Sequence, residues 1–296
     1  MASVFVAGAL AYEVGRTTPG NVEVEAVVGD QISLPRAENT VPPAAETWAF
    51  EPLPSRMHNQ PIIALIIDDA GIDPLLTRRA TDLGIPMTLS FLPYAEASAD
   101  LARLARAQGH DVFLHLPMEP VGFSDPGPRA LTRHLTSQEI ASRTRLAFNS
   151  IPGAIGLNNH MGSAFTADED AMRSALEALE SRNLIFVDSL TSGRSRAREV
   201  ANRLGYTSLS RDVFIDHDAN SVQQALDHMA NMARQSGPVI AIGHPRPGTL
   251  DALENWLMDP ANQDIRFVTI SDYVGLGAVS EAPMSNETVR LFSGAE

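Results

Sequence analysis

The stretch 65-LIIDDAG-71 sets two adjacent carboxylates, Asp68 and Asp69, at the end of an apolar run. A strand buried on both faces has no use for a charge pair, and a surface turn seldom follows so apolar a segment. Two readings fit. The acids are either a helix cap beside a solvated charge, or a pair held at a strand end for chemistry.

The surrounding pattern decides where that strand sits. Further β-type runs fall at 87–92, 111–116, 154–157, 184–187, 207–215, 238–243 and 266–270, with helical stretches between them. Asp73-Pro74 predicts an N-cap followed by a proline at the first helical position. Thr136-x-x-Glu139 and Thr166-x-x-Glu169 predict capping boxes, and Gly84, Gly109, Gly205 and Gly237 fall where helices should stop. Alternating strands and helices predict a parallel sheet of seven or eight strands, closed as a (β/α) barrel or open and doubly wound.

Polar residues choose between the two. Asp68 and Asp69 end the first run and His115 the third; Asn158, Asn159 and His160 end the fourth; Asp188 and Ser189 the fifth. Asp216-His217-Asp218 end the sixth and His244 the seventh. In a barrel all these strand ends face one mouth, whereas an open sheet joins only those beside its switch point. The distribution favours the barrel. Each residue alone also has a plain structural reading: His115 as a hydrogen-bonded core histidine, "NNHMGS" as a turn, Asp188 as a cap and Asp216–Asp218 as a solvated loop. Their shared position at equivalent strand ends is the argument. His58, His110, His134 and His228 fall elsewhere and receive no role.

Composition narrows the chemistry. The 296 residues contain no cysteine, which removes disulfides, thiolate metal sites and thiol nucleophiles. All 22 basic residues are arginine, so a Walker lysine and a Schiff-base lysine are excluded. A net charge of −14 repels polyanions and argues against a nucleic-acid partner. An Asp and two His converging at one mouth suit a borderline divalent ion such as zinc, which activates water and polarises a carbonyl. A second Asp can take the water's proton and a further His can protonate a leaving amine.

Residues 12–60 read as a proline-rich, extended linker behind a short apolar start, "MASVFVAGALAY", and the tail from 276 reads as irregular. The start is expected to be a truncated export signal, a membrane tether facing the periplasm, or an unstructured end.

Between them, the motifs "IIDDAG", "FLHLPMEP", "GLNNHMGS", "FVDS", "RDVFID" and "IAIGHPRPG", in order over roughly 61–275, resemble the NodB-like polysaccharide deacetylases. They are closest to the divergent, YibQ-type branch. The resemblance implies a deformed (β/α) barrel, a divalent metal (usually zinc) and an acetylated glycan or cell-wall polysaccharide as substrate. It implies Asp69 as metal ligand, Asp68 as general base, His244 as general acid and His115 as the first metal histidine. The family's second histidine stands four residues after the first, where this chain has Glu119. His160 is the substitute the sequence offers, with Glu119 as the alternative ligand. The resemblance also implies Asn158, Asn159, Asp188 and Ser189 as substrate contacts or residues that orient the ligands. Its rival is a non-catalytic glycan-binding or envelope scaffold protein of the same fold.

Overall fold

Strand β1 (Ile62–Ala70) is the axis on which the molecule is built, pairing in parallel with three other strands. The computed structural model describes residues 60–179 and 182–280, so the linker, the apolar start and the chain beyond 280 lie outside it. Chain order continues as α1 (Pro74–Thr81), β2 (Thr88–Phe91), α2 (Ser98–Ala107), β3 (Asp111–Met118) and α3 (Ser137–Asn149). Next come β4 (Gly156–Met161), α4 (Glu169–Glu177), β5 (Ile185–Asp188), α5 (Ala197–Arg203) and β6 (Thr207–Ser210). The last are β7 (Val213–Phe214), α6 (Val222–Ser236), β8 (Val239–Gly243), α7 (Pro247–Met258), β9 (Arg266–Val268) and α8 (Ile270–Ser280).

The strands are ordered β6-β5-β4-β3-β2-β1-β8-β7, all parallel, with β9 also on β1. This curved sheet is the expected deformed (β/α) barrel. The run at 207–215 proves to be two strands, because the chain changes neighbours at Arg211-Asp212. The Arg211 amide donates to the Asp188 carbonyl of β5, while the Asp212 amide donates to the Ile240 carbonyl of β8. Among the described residues β6 and β7 do not pair, so these two residues join the sheet's ends. Residues 270–280, read partly as strand and partly as tail, form a helix.

Alternation along each strand separates two cores. Ile63, Leu65 and Ile67 pack outward against the helices, while Ile62, Ala64 and Ile66 point into the barrel. Phe113, Ile185, Val187, Ile240 and Ile242 fill the same interior from other strands. Gly156 lies on this inner face against the Phe113 ring and the Ile185 carbonyl, leaving no room for a Cβ.

Helix α8 stoppers the end of the barrel opposite the mouth. The Ile270 amide donates to Thr88 Oγ1, and Ser271 donates from its amide and its hydroxyl to the Asp111 carboxylate. The Asp73 cap, the Thr136–Glu139 box and left-handed glycines at 84, 109, 205 and 237 are all present. The remaining box is corrected. Asp168, not Thr166, caps α4, because the Thr166 hydroxyl is engaged by the Gly162 carbonyl.

Candidate metal centre

Counting by twos along each strand from the inward apolar residues predicts what the mouth receives. Asp68 follows Ile66, His115 follows Phe113, and Asn158 and His160 follow Gly156. Ser189 follows Val187, Asp216 follows Phe214 and His244 follows Ile242. Asp69 has the wrong parity and would face the helices. It is turned into the mouth by a left-handed backbone (φ 56°) and a register shift between β1 and β2 at Ile67–Ala70. Left-handed geometry is costly for a residue with a Cβ, though Asp tolerates it better than most.

Three side chains meet there. Asp69, His115 and His160 each offer a ligand atom, all within 4.8 Å of one another. Asp69 Oδ1 lies 2.9 Å from His160 Nδ1 and 3.4 Å from His115 Nε2. Even so, no N–H is directed at this buried oxygen. A carboxylate oxygen and two imidazole nitrogens at this spacing are a donor set that suits a shared divalent cation. Burial alone would raise the Asp69 carboxyl, but the two close imidazoles outweigh it and hold it well below the usual carboxylate range.

The supporting hydrogen bonds fix which nitrogen faces the centre. Asn158 donates from Nδ2 to Asp68 Oδ1 (2.8 Å) and turns its carbonyl to His115. That carbonyl accepts from His115 Nδ1 at 2.8 Å and from the Ser90 hydroxyl. The Nε2 lone pair of His115 is thereby aimed at Asp69, as metal-binding imidazoles are oriented by their outer partner. Burial lowers the tendency of His115 to carry a proton, but Asp68 and Asp69 together raise it. Asp68, only 3% exposed, is pushed up by burial against the opposing pull of His115 and His244.

His244 stands across the mouth, its Nε2 3.8 Å from Asp69 Oδ2. Its Nδ1 donates to Asp216 Oδ1 at 2.9 Å, and Asp216 also accepts from the His244 amide and the Thr249 hydroxyl. Burial raises the Asp216 carboxyl, but these bonds, His244's first, leave it below its ordinary value. Asp216 is 1% exposed, so the reading of 216–218 as a solvated loop holds only for His217 and Asp218. The signal for Asp216 was parity: it stands two residues after an inward phenylalanine.

The remaining candidates divide. Ser189 joins the network by accepting from Asn158 Nδ2 at 3.1 Å. Asn159 and Asp188 have outward parity and stitch loops. Asn159 accepts from the Ser189 amide and donates to the Met161 carbonyl, and Asp188 accepts from the Leu190 amide and the Ser195 hydroxyl. Asn158 and Asn159 are both buried with their amides bonded inside the protein, a placement unlike that of a sugar contact. Glu119 is outside the cluster. Its carboxylate takes the Arg133 amide at 2.7 Å and the guanidinium at 2.9 Å. Arg211 was not singled out from sequence. It bonds the Ser189 and Leu190 carbonyls and stacks on Phe214, whose ring also touches His244.

The sequence model of a family described as divergent polysaccharide deacetylase matches residues 65–274. The chain belongs to that family. An Escherichia coli relative, described as the uncharacterized protein YibQ, is 34% identical over 194 residues, 65% of this chain and 61% of that protein. This chain thus spans less than two thirds of that relative's length. An uncharacterized Haemophilus influenzae protein is 36% identical over 211 residues, covering 70% of this chain and 74% of its own. Among solved structures, the uncharacterized Agrobacterium tumefaciens protein ATU2773 superposes with a TM-score of 0.68 at 22% identity. The match covers 75% of this chain and 92% of that one, and it supports the fold.

Proposed function

We propose that this protein is a metal-dependent hydrolase that removes N-acetyl groups from a glycan. The observation that carries the reading is the clustering of the buried Asp69 Oδ1 with two imidazole nitrogens, His160 Nδ1 at 2.9 Å and His115 Nε2 at 3.4 Å, beside a second carboxylate and a further histidine. Asp69, His115 Nε2 and His160 Nδ1 are the residues that would hold a divalent ion, and their mixed N/O donor set suits zinc. When bound, such an ion supplies Lewis acidity, polarising the acyl oxygen and making water a nucleophile near neutral pH.

The chain's own groups do the rest. Asp68 is held by Asn158 on one oxygen and leaves Oδ2 toward the centre, where it accepts the proton of the attacking water. Burial strengthens it as a base. His244 keeps its Nδ1 proton on Asp216, so a second proton at Nε2 makes an imidazolium that Asp216 stabilises. From Nε2 that proton passes to the amine nitrogen as the C–N bond breaks. The acetyl group leaves as acetate and the sugar as a free amine.

The test is the purified full chain, assayed for bound metal and for acetate release from acetylated amino-sugar oligomers. Acetate formed in proportion to metal loading is the expected result. Glycan binding without acetate at any loading, unaltered in Asp68→Asn, would establish the rival, non-catalytic binding protein. No helix among the described residues is long and apolar enough to cross a membrane. A periplasmic position with the apolar start as tether belongs to this proposal, and fractionation of cells expressing the full chain tests it.

A further inference from the structure

The curved sheet has a seam. Among the described residues β6 pairs only with β5 and β7 only with β8, so no ladder of backbone bonds crosses from β5 to β8. Side chains of the two junction residues close it instead. Toward the floor, the Asp212 carboxylate accepts from the Ile240 amide at 2.8 Å. Toward the mouth, Arg211 Nε donates to the Ser189 carbonyl at 2.9 Å and Nη2 to the Leu190 carbonyl at 3.3 Å. Both carbonyls lie just past the end of β5, in the loop whose Ser189 hydroxyl meets Asn158.

The same guanidinium lies over the Phe214 ring, its Cζ 4.9 Å from the centroid, an attractive cation–π arrangement. The Phe214 ring in turn meets the His244 imidazole, with centroids 5.4 Å apart and planes tilted by 44°. Asp216 holds that imidazole by its edge, through Nδ1. A bond at one edge leaves the ring free to rock about the N–H···O line, and a neighbour against its face restrains that motion. Phe214 is only half-buried and its other ring neighbour, His217, is exposed, so the guanidinium is its fixed support. Burial lowers the pKa of Arg211 against the opposing pull of Asp68, Asp188 and Asp212. Its hydrogen bonds go to neutral carbonyls, which fix its place without cancelling its charge.

We infer that Arg211 is a positioning residue for the general acid: pinned to the β5 loop across the seam, it holds Phe214 against the imidazole face and so keeps His244 Nε2 aimed at the departing amine. The inference rests on the reading of His244 as proton donor given above. It requires a planar fork, because one group must bond two carbonyls and stack on a ring at once. A lysine ammonium keeps the charge and cannot do both.

The test compares Arg211→Met and Arg211→Lys with wild type in the full, zinc-loaded chain. Two substrates separate the roles: an N-acetylglucosamine oligomer, whose amine must be protonated to leave, and 4-nitrophenyl acetate, whose phenolate leaves without a proton. In both variants kcat for the amide should fall about 10- to 100-fold with KM within about 2-fold, while the ester changes by no more than about 2-fold and zinc content is retained. An equal fall on both substrates would mean that Arg211 acts on Asp68 or on packing in general, and Arg211→Lys matching wild type would mean that charge alone suffices; either overturns the inference. The His244 ring signals in the nuclear magnetic resonance spectrum supply a readout independent of turnover. They should lose the ring-current shift from Phe214 in both variants, and unchanged signals would overturn the positioning role. A wild type inert on both substrates would remove the hydrolase reading, and loss of that shift in the variants would still support the Arg211 contact.

Discussion

The two ends of the barrel interior are built from the same strands by the same alternation, yet they do opposite work. At the floor, Ile62, Ala64 and Phe113 meet under α8 with the Asp111–Ser271 clamp at its start. At the mouth, the last inward position of β1 is Asp68, past Ile66, and the inward position after Phe113 on β3 is His115. The floor holds the strands in register. The mouth uses that register to hold polar groups whose burial the floor's packing has to offset. The polar mouth is thus made by changing residue type at one height of the barrel, with left-handed backbone at Asp69, Met161 and Leu190 beside it.

Breaking the mouth should cost function before stability. The largest effect is expected from Asp69→Ala, with metal content lost and turnover abolished together; retained metal by elemental analysis would contradict the assignment. Asp68→Asn should retain metal and lower turnover by about 10²- to 10⁴-fold, the usual share of a general base. Asn158→Ala should weaken zinc affinity about 10- to 100-fold by freeing the His115 ring, with a modest change in melting temperature. Unchanged affinity in a competition titration would show that the Asn158 bridge does not orient that ring.

The floor should respond the other way. Ile66→Ala leaves a cavity beneath the site and should cost about 2–5 kcal/mol in chemical denaturation. At the opposite end, burial pushes Asp111 up to about 6 from an ordinary 3.8. The folded state therefore binds its proton more tightly than the unfolded chain does. Its contribution is complete below about pH 4 and is lost as pH rises through about 6, by at most about 3 kcal/mol. Asp111→Asn should remove that fall from a pH series of denaturation midpoints. A slope that survives in the variant would have to come from other groups.

Much of this was legible in the sequence because it rests on local periodicity. The parallel α/β pattern and the mouth location follow from apolar runs and what ends them, while Asp69, His115 and His160 were singled out as one group by the family resemblance, with Glu119 as the alternative. Parity within each strand separates Asn158 from Asn159 and Ser189 from Asp188, and applying it would have assigned Asp216 as well. Other features depend on partners distant in sequence. The break at Arg211-Asp212 exists because the chain leaves β5 for β8, and no local signal marks the exchange. The left-handed turn at Asp69 is likewise invisible in residue type, since nothing in "DDAG" says which acid twists. Glu119 could be set aside as a ligand only when Arg133, 14 residues away, was found on its carboxylate.

The central claim is that Asp69, His115 and His160 form the metal centre, with Glu119 outside it. Equilibrium zinc titration of the full chain tests it most directly, comparing wild type with His160→Ala and Glu119→Gln. The expected result is a single tight ion per chain in wild type and Glu119→Gln, and loss of that ion in His160→Ala. Zinc retained by His160→Ala and lost by Glu119→Gln would contradict the account.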